Sequence, residues 1–195
     1  MPTVEKKTVE SATAPGAGTI PGLLAAEAFR TAYACLPASY AGDTSVRLRL
    51  HMASTLAGIA FSHTGLGLCH AMSHALGARF HVPHGRLNAI LLPAVIASNA
   101  QGAGSGYARL ARAAGLGGSA DVVALRNLKN GLVRLRRDLG LPQTLAQAGV
   151  SPGQVWGDSK AIVEAVLSDP CCKTNPVPVE DFQVRRILEE VTGNL

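Results

Sequence analysis

Apolar residues recur every three or four positions along most of this chain, which is the spacing of one face of an α-helix. The stripe is clearest over 121–139, where its members are Val122, Leu125, Leu128, Leu132, Leu135 and Leu139. Similar stripes predict further helices over 19–37, 44–63, 85–99, 107–114, 151–167 and 179–192. No strand candidate stands out. The pattern therefore predicts an all-α bundle of about seven to nine helices.

Glycine and proline mark the predicted boundaries of these helices. Residues 1–18 begin with charged residues and end in Ala-Pro-Gly-Ala-Gly, so we predict a flexible N-terminal segment ahead of a helical domain over 19–195. Pro37 is expected to end the first helix, and the Asp43-Thr44-Ser45 run to cap the second. The segment 53–60 of the second helix carries small and mainly apolar residues on nearly all sides, which is typical of a buried central helix. Residues 101–106 and 168–178 are predicted loops.

Composition and charge exclude several classes of protein. A length of 195 residues suits one domain, and the net charge of +5 comes without a face of interleaved basic and aromatic residues, so no nucleic-acid partner is expected. No apolar run reaches the length of a membrane span, and no signal peptide precedes the first helix. The four cysteines form no Cys-x-x-Cys motif. We therefore expect a reduced, soluble, cytoplasmic protein, either a monomer or a homo-oligomer.

Histidines are concentrated in one short stretch. His70, His74, His81 and His84 are four of the six histidines and lie within fifteen residues. On a helix, residues four apart share one face, so His70 and His74 are expected to be neighbours. Val82-Pro83 should break that helix, because the residue before a proline is pushed out of the helical region. The chain then reverses and brings His84 towards His70. Spacing alone leaves two interpretations open, a packed polar cluster and a metal or proton-transfer site.

The stretch from Gly65 to Pro93 resembles the C-terminal domain of the iron-containing (group III) alcohol dehydrogenases. The positions that match the motif of that family are Gly67, His70, His74, Leu76, Gly77, Pro83, His84, Gly85, 88–92 and Pro93. The resemblance extends upstream through 53–62 and downstream through 169–176 and 179–188, so it covers most of the chain. It implies the helical fold that these enzymes share with dehydroquinate synthase-like proteins. The Pro83-His84-Gly85 run points to the alcohol branch rather than to a dehydroquinate synthase-like or glycerol dehydrogenase-like enzyme.

The same resemblance implies a chemistry. His70 and His84 correspond to two ligands of Fe²⁺ or Zn²⁺, and His74 to a catalytic histidine beside the metal. The reaction implied is reversible hydride transfer between a small alcohol or aldehyde and NAD(P). Cys171 and Phe61 correspond to walls of the substrate pocket. For each of these two residues the alternative is simple packing, as a buried cysteine or a core aromatic.

Two features depart from the family pattern. The nucleotide-binding N-terminal domain of the family, with its Rossmann-like sheet, is absent from the sequence, so we expect NAD(P) to require a separate domain or chain and this chain alone to be inactive. When Glu10 is aligned with a glutamate of the family motif, Thr3 and Lys7 fall where an aspartate and a histidine ligand are expected. Neither is a good ligand, so the metal is expected to be weakly bound or absent.

These departures leave alternative functions open. The chain is either the C-terminal part of a longer enzyme, a non-catalytic truncated remnant or subunit, or a stand-alone metal-binding helical module. The residues do not decide which alcohol is used, or between NAD and NADP.

Overall fold

The computed structural model describes the backbone of residues 4–193 and the side chains of residues 7–193. This part of the chain contains ten α-helices, two short 3-10 helices and no strand, so the all-α prediction is confirmed. The α-helices are α1 Val4–Thr13, α2 Thr19–Tyr40, α3 Arg47–Thr64, α4 Leu68–Phe80, α5 His84–Ser98, α6 Ala100–Ala113, α7 Asp121–Asp138, α8 Pro152–Gly157, α9 Ser159–Ser168 and α10 Asp181–Thr192. Between Val4 and Gly193, no helix is both long and apolar enough to cross a lipid bilayer.

The centre of the bundle is the pair α4–α5, and the prediction that the helix over 44–63 is the buried central helix is wrong. Nine residues of α5 and seven of α4 are buried. In α3 the buried residues include the small Ala53, Ala57 and Ala60, which face the interior. The opposite face leaves Leu48 and Met52 exposed. Alanine is apolar but small, so a run of alanines does not show which face of a helix is covered.

Helix α1 lies where the sequence predicted a flexible segment. Val9 and Ala12 are buried against the main core, and Thr8, Glu10 and Ser11 are buried with them. So few apolar side chains form no visible stripe, and packing against the rest of the bundle determines the structure of this segment instead. Between residues 4 and 18, the expected loop is limited to the turn after Thr13, and residues 1–3 lie outside the described part of the chain.

Helix α6 begins at Ala100 and includes residues 101–106, which were predicted as a loop. Its glycines provide close packing. A Cβ atom at Gly106 would lie 2.9 Å from Thr13 Cγ2, and one at Gly102 would overlap the side chain of Val177. Gly106 and Gly102 therefore allow α1 and the chain after Pro176 to pack closely against α6. Composition alone suggests a turn here, because glycine is also common in turns.

Several predicted helix ends are also wrong. Helix α2 continues one turn beyond Pro37, because a proline near the end of a helix removes only one internal hydrogen bond. Asp43 does not cap α3; its Oδ1 accepts the N–H of Ser45 at 2.8 Å inside the preceding turn. The helix predicted over 151–167 is divided at Asp158 into α8 and α9. The predicted loop over 168–178 contains the 3-10 helix Pro170–Thr174.

A buried arginine of α7 holds α5 in place. Pro93 lies inside α5 and has no N–H, so the carbonyl of Ala89 loses its usual helical partner. Arg136 Nη1 donates to Ala89 O at 2.9 Å and to Ile90 O at 3.0 Å, and its Nε donates to Gln143 Oε1 at 2.9 Å. Burial lowers the pKa of Arg136 below its usual value. The guanidinium thus supplies the hydrogen bond that the proline removes.

Candidate metal centre

The first turn of α4 is held by side chains that are distant in sequence. Gly67 is the N-cap and has no side chain with which to cap the helix. Instead Asn175 Oδ1 accepts the N–H of Leu68 at 3.1 Å, and Glu10 Oε1 accepts the N–H of Cys69 at 2.8 Å. A Cβ atom at Gly67 would lie 2.9 Å from Asn175 Oδ1 and 3.0 Å from Glu10 Oε1. Glycine is therefore needed for both oxygens to reach the helix end, where partial positive charge favours a carboxylate.

The predicted break between α4 and α5 is confirmed. Helix α4 ends at Phe80, and His81 follows in the left-handed region with φ of 54°. Pro83 is the N-cap of α5, which begins with His84. The exposed His81 is thus part of the turn between the two helices. The reversal of the chain places the first residue of α5 beside the first turns of α4.

Three imidazole rings converge at this point. The ring centroids of His70 and His84 are 5.2 Å apart, as are those of His74 and His84, and the His70–His74 separation is 6.3 Å. The structure therefore brings together the three histidines that the sequence selected, from two helices joined by a tight turn.

His70 is the buried member of the cluster. It is 2 % exposed, and its Nδ1 forms a short hydrogen bond with Glu10 Oε2. No other side chain of residues 7–193, and no backbone group of residues 4–193, forms a hydrogen bond with its Nε2. A metal-binding histidine commonly has this arrangement, with one ring nitrogen on a carboxylate and the other facing the metal.

His74 is the exposed member, one turn along α4. Its Nδ1 lies 2.8 Å from Asp169 Oδ2, while Asp169 Oδ1 accepts the N–H of Cys171 at 2.8 Å. Burial by itself raises the pKa of Asp169, but the hydrogen bonds from Cys171 and His74 outweigh it and hold that pKa below the usual value. Asp169 therefore orients a ring that solvent reaches.

His84 has a polar neighbour on its own helix. Its Nε2 lies 2.7 Å from Asn88 Nδ2, which also donates to the carbonyl of His84 at 3.1 Å. Asn88 Oδ1 accepts from Ser73 Oγ at 3.0 Å, and this bond fixes the orientation of the amide. Coordination of a metal by His84 Nε2 would replace its contact with Asn88.

The two predicted pocket residues lie in different surroundings. Cys171 joins the cluster, because its Sγ, a ring nitrogen of His74 and a carboxylate oxygen of Asp169 all lie within 4.8 Å of one another. Burial, with a smaller contribution from Asp169, raises the pKa of the Cys171 thiol to about 12. Phe61 is half-buried on α3, with the ammonium of Lys7 4.7 Å from its ring centroid.

The side chains of the site match only part of the ligand set expected for Fe²⁺ or Zn²⁺. Neutral imidazoles are good ligands for Fe²⁺ and Zn²⁺, and three of them meet here. Of the two positions at which the sequence departs from the family, Thr3 lies outside the described residues. Lys7 is described, and its ammonium faces an aromatic ring. The described residues therefore offer three imidazoles, with the Asp169 carboxylate and the Cys171 thiol beside His74, but no good ligand at position 7, where the family resemblance expects one.

Three residues of the site were not predicted as functional. Glu10 was used to align the family motif. Asn88 and Asp169 were included only as parts of the longer matching runs 88–92 and 169–176. The only signal for Glu10 is a lone carboxylate between apolar and small residues, Val9 and Ser11-Ala12. Such a residue must find a partner if its helix is buried, but nothing local identifies that partner.

Comparison with known proteins shows the family of this chain. Residues 8–192 match a family model described as Fe-containing alcohol dehydrogenase family, C-terminal. The chain is 37 % identical over 189 residues to a 1-propanol dehydrogenase of Salmonella typhimurium, covering 94 % of this chain and 51 % of that protein. It is 36 % identical over 151 residues to an NADPH-dependent butanol dehydrogenase of Clostridium saccharobutylicum, covering 77 % of this chain and 39 % of that protein.

Solved structures give the same result. A crystal structure of a 1,3-propanediol oxidoreductase superposes with a TM-score of 0.89 at 29 % identity, covering 97 % of this chain and 50 % of that one. The iron-containing alcohol dehydrogenase of Thermococcus thioreducens gives a TM-score of 0.87 at 32 % identity, covering 96 % and 48 %. The chain thus spans about half the length of these relatives. It belongs to the family of iron-containing alcohol dehydrogenases and corresponds to their C-terminal, helical part.

Proposed function

We propose that this chain is the metal-binding, substrate-facing part of an alcohol dehydrogenase that moves a hydride between a small alcohol or aldehyde and NAD(P). The observation that carries the proposal is the convergence of the three imidazole rings, with centroids 5.2 to 6.3 Å apart. Two of its relatives are a 1-propanol and a butanol dehydrogenase, which supports a short alcohol as the substrate.

Each histidine has a role in this proposal. His70 and His84 would hold Fe²⁺ or Zn²⁺, which when bound polarises an alcohol oxygen and lowers its pKa. His74 would accept the hydroxyl proton during alcohol oxidation and return it during aldehyde reduction. Asp169 keeps Nδ1 of His74 occupied, which leaves Nε2 for that transfer. Cys171, beside this pair, and Phe61 would line the pocket.

The coenzyme would be bound outside the described residues. A dinucleotide-binding turn joins a strand to a helix, and residues 4–193 contain no strand. We therefore propose that a nucleotide-binding domain, on the same protein or on another chain, supplies NAD(P), and that this chain by itself is inactive. The four cysteines are free thiols, which supports a reducing, cytoplasmic location.

A fusion tests the proposal. The chain would replace the matching C-terminal half of the Salmonella 1-propanol dehydrogenase, and reduction of NAD(P) with 1-propanol would be followed by absorbance after loading with Fe²⁺ or Zn²⁺. We expect turnover that His74→Ala lowers strongly, while a surface substitution such as Glu164→Gln leaves it unchanged. A folded, metal-loaded and inactive fusion would contradict the proposal, provided that the relative's own two halves work when joined at the same point.

A second candidate is a metal-binding module without catalysis. It is favoured by the three converging imidazoles together with the lack, among residues 4–193, of a strand that could carry a dinucleotide-binding turn. The same fusion separates the two candidates. Metal uptake without turnover supports the module, and metal-dependent turnover excludes it.

A further inference from the structure

The carboxylate of Glu10 joins helix α1 to helix α4 in a buried environment. Its residue is 4 % exposed, and it projects from α1 to the start of α4. Oε1 accepts the N–H of Cys69 at 2.8 Å, and Oε2 forms the short bond with His70 Nδ1. The N–H of Cys69 can only donate a hydrogen bond, so Oε1 must accept it.

An ionised carboxylate has no hydrogen to donate, so the second partner must donate as well. The hydrogen of a neutral His70 ring therefore lies on Nδ1, and the lone pair lies on Nε2. We propose that Glu10 is a positioning residue that selects this tautomer of His70 and thereby keeps Nε2 available as a metal ligand. The consequence for metal binding rests on the proposed function, whereas the tautomer itself does not.

The arrangement leaves the side chain little freedom. Oε1 is held at the positive end of a thirteen-residue helix. Gly67 provides the space, since any Cβ there would lie 3.0 Å from Oε1. The ring of His70 is enclosed, so it cannot turn to offer its other nitrogen without repacking. The tautomer is thus fixed by contacts on both sides of the carboxylate.

This geometry makes Glu10→Gln a selective test. The amide of the new side chain has one oxygen and one NH₂ group, and the oxygen must remain on the Cys69 N–H. The NH₂ group then faces His70 Nδ1, which has to accept. The ring hydrogen moves to Nε2, so the nitrogen that would bind the metal loses its lone pair. A change of size is avoided, because glutamine has nearly the same shape as glutamate.

The direct measurement is the tautomer of His70 in the metal-free chain. Histidine labelled with ¹⁵N gives distinct nitrogen signals for the two tautomers at a pH where imidazole is neutral, and His70→Ala assigns the ring. We expect the Nδ1–H form in the native chain, the Nε2–H form in Glu10→Gln, and no change in Glu164→Gln, the same substitution on the exposed side of α9. An Nε2–H form in the native chain would overturn the inference, even if the variant fails to fold. So would an unchanged tautomer in a folded Glu10→Gln variant.

The consequence for metal binding is measured by titration with Zn²⁺. Glu10→Gln should bind about 10- to 100-fold more weakly than the native chain, and Glu164→Gln should bind equally well. Equal affinity in the Glu10→Gln variant would overturn the positioning role. If the native chain shows the expected tautomer but binds no metal, the proposed function fails while the tautomer assignment stands.

Discussion

Two histidines of α4, one helical turn apart, make the same contact in opposite environments. His70 and His74 each present Nδ1 to a carboxylate, and in each case the other carboxylate oxygen accepts a backbone N–H. The side chains of the His70–Glu10 pair are 3 % and 5 % exposed, whereas those of His74 and Asp169 are 49 % and 13 % exposed. One pair is part of the core and the other lies at the mouth of the site.

The difference shows why the contact alone does not decide what a residue does. A buried polar group that loses its partner remains without one, since water cannot replace the lost bond. An exposed ring regains water and can rotate. We therefore expect the His70 pair to determine stability and fixed geometry, and the His74 pair to permit movement and proton exchange.

Metal uptake should separate the two histidines most strongly. We expect His70→Ala and His84→Ala to abolish the uptake of Zn²⁺ or Ni²⁺ supplied in excess, and His74→Ala only to weaken it, because His74 would lie beside the metal. Elemental analysis after gel filtration, with circular dichroism to verify folding, is the measurement. The native chain itself should be empty or partly occupied as purified. A stoichiometric metal that survives dialysis against a chelator would show that the weak-site prediction is wrong.

The second prediction concerns stability. Glu10→Ala should lower the free energy of unfolding by about 2–6 kcal/mol, because each of two buried donors left without an acceptor costs about 1–3 kcal/mol. It deprives both Cys69 N–H and His70 Nδ1 of their acceptor. Urea denaturation followed by circular dichroism measures the change. A loss below about 1 kcal/mol is the size expected for an exposed pair. It would contradict the expectation that the buried His70–Glu10 pair contributes more to stability than the His74–Asp169 pair.

The smallest effect is expected at the exposed pair. Asp169→Asn should change stability by at most about 1 kcal/mol at neutral pH, because the amide oxygen can still accept the Cys171 N–H and the ring of His74 remains hydrated. The folded pKa of Asp169 is lowered, so its contribution is present above the unfolded value of about 3.9 and disappears as the pH falls through the lower folded value. Denaturation of both proteins across this range is the test. A difference that grows on acidification would contradict it.

The sequence predicted the part of the site that depends on neighbours in the chain. Val82-Pro83 indicated the reversal, and the four-residue spacing placed His70 and His74 on one face. The contacts of Glu10 could not be derived in this way, because they cross 60 residues and depend on α1, a helix that shows no apolar stripe of its own. For the same reason the helical part of 101–106 was missed, since its glycines are explained only by the chain segments packed against them.

The hydrogen bonds from Arg136 to α5 also affect how the three histidine rings would respond to substitutions elsewhere in the molecule. Helix α5 carries His84 at its first position. Further along this helix, Arg136 of α7 donates to the carbonyl of Ala89, which Pro93 leaves without its helical partner, and to that of Ile90. Removal of the guanidinium would leave the carbonyl of Ala89 without a donor and give α5 freedom to bend at the proline. The alignment of His84 with the other two rings would then vary, although Arg136 lies on another helix. A survey of random substitutions selected for loss of metal uptake should therefore recover position 136 among the histidines, as a defect of alignment and not of ligation.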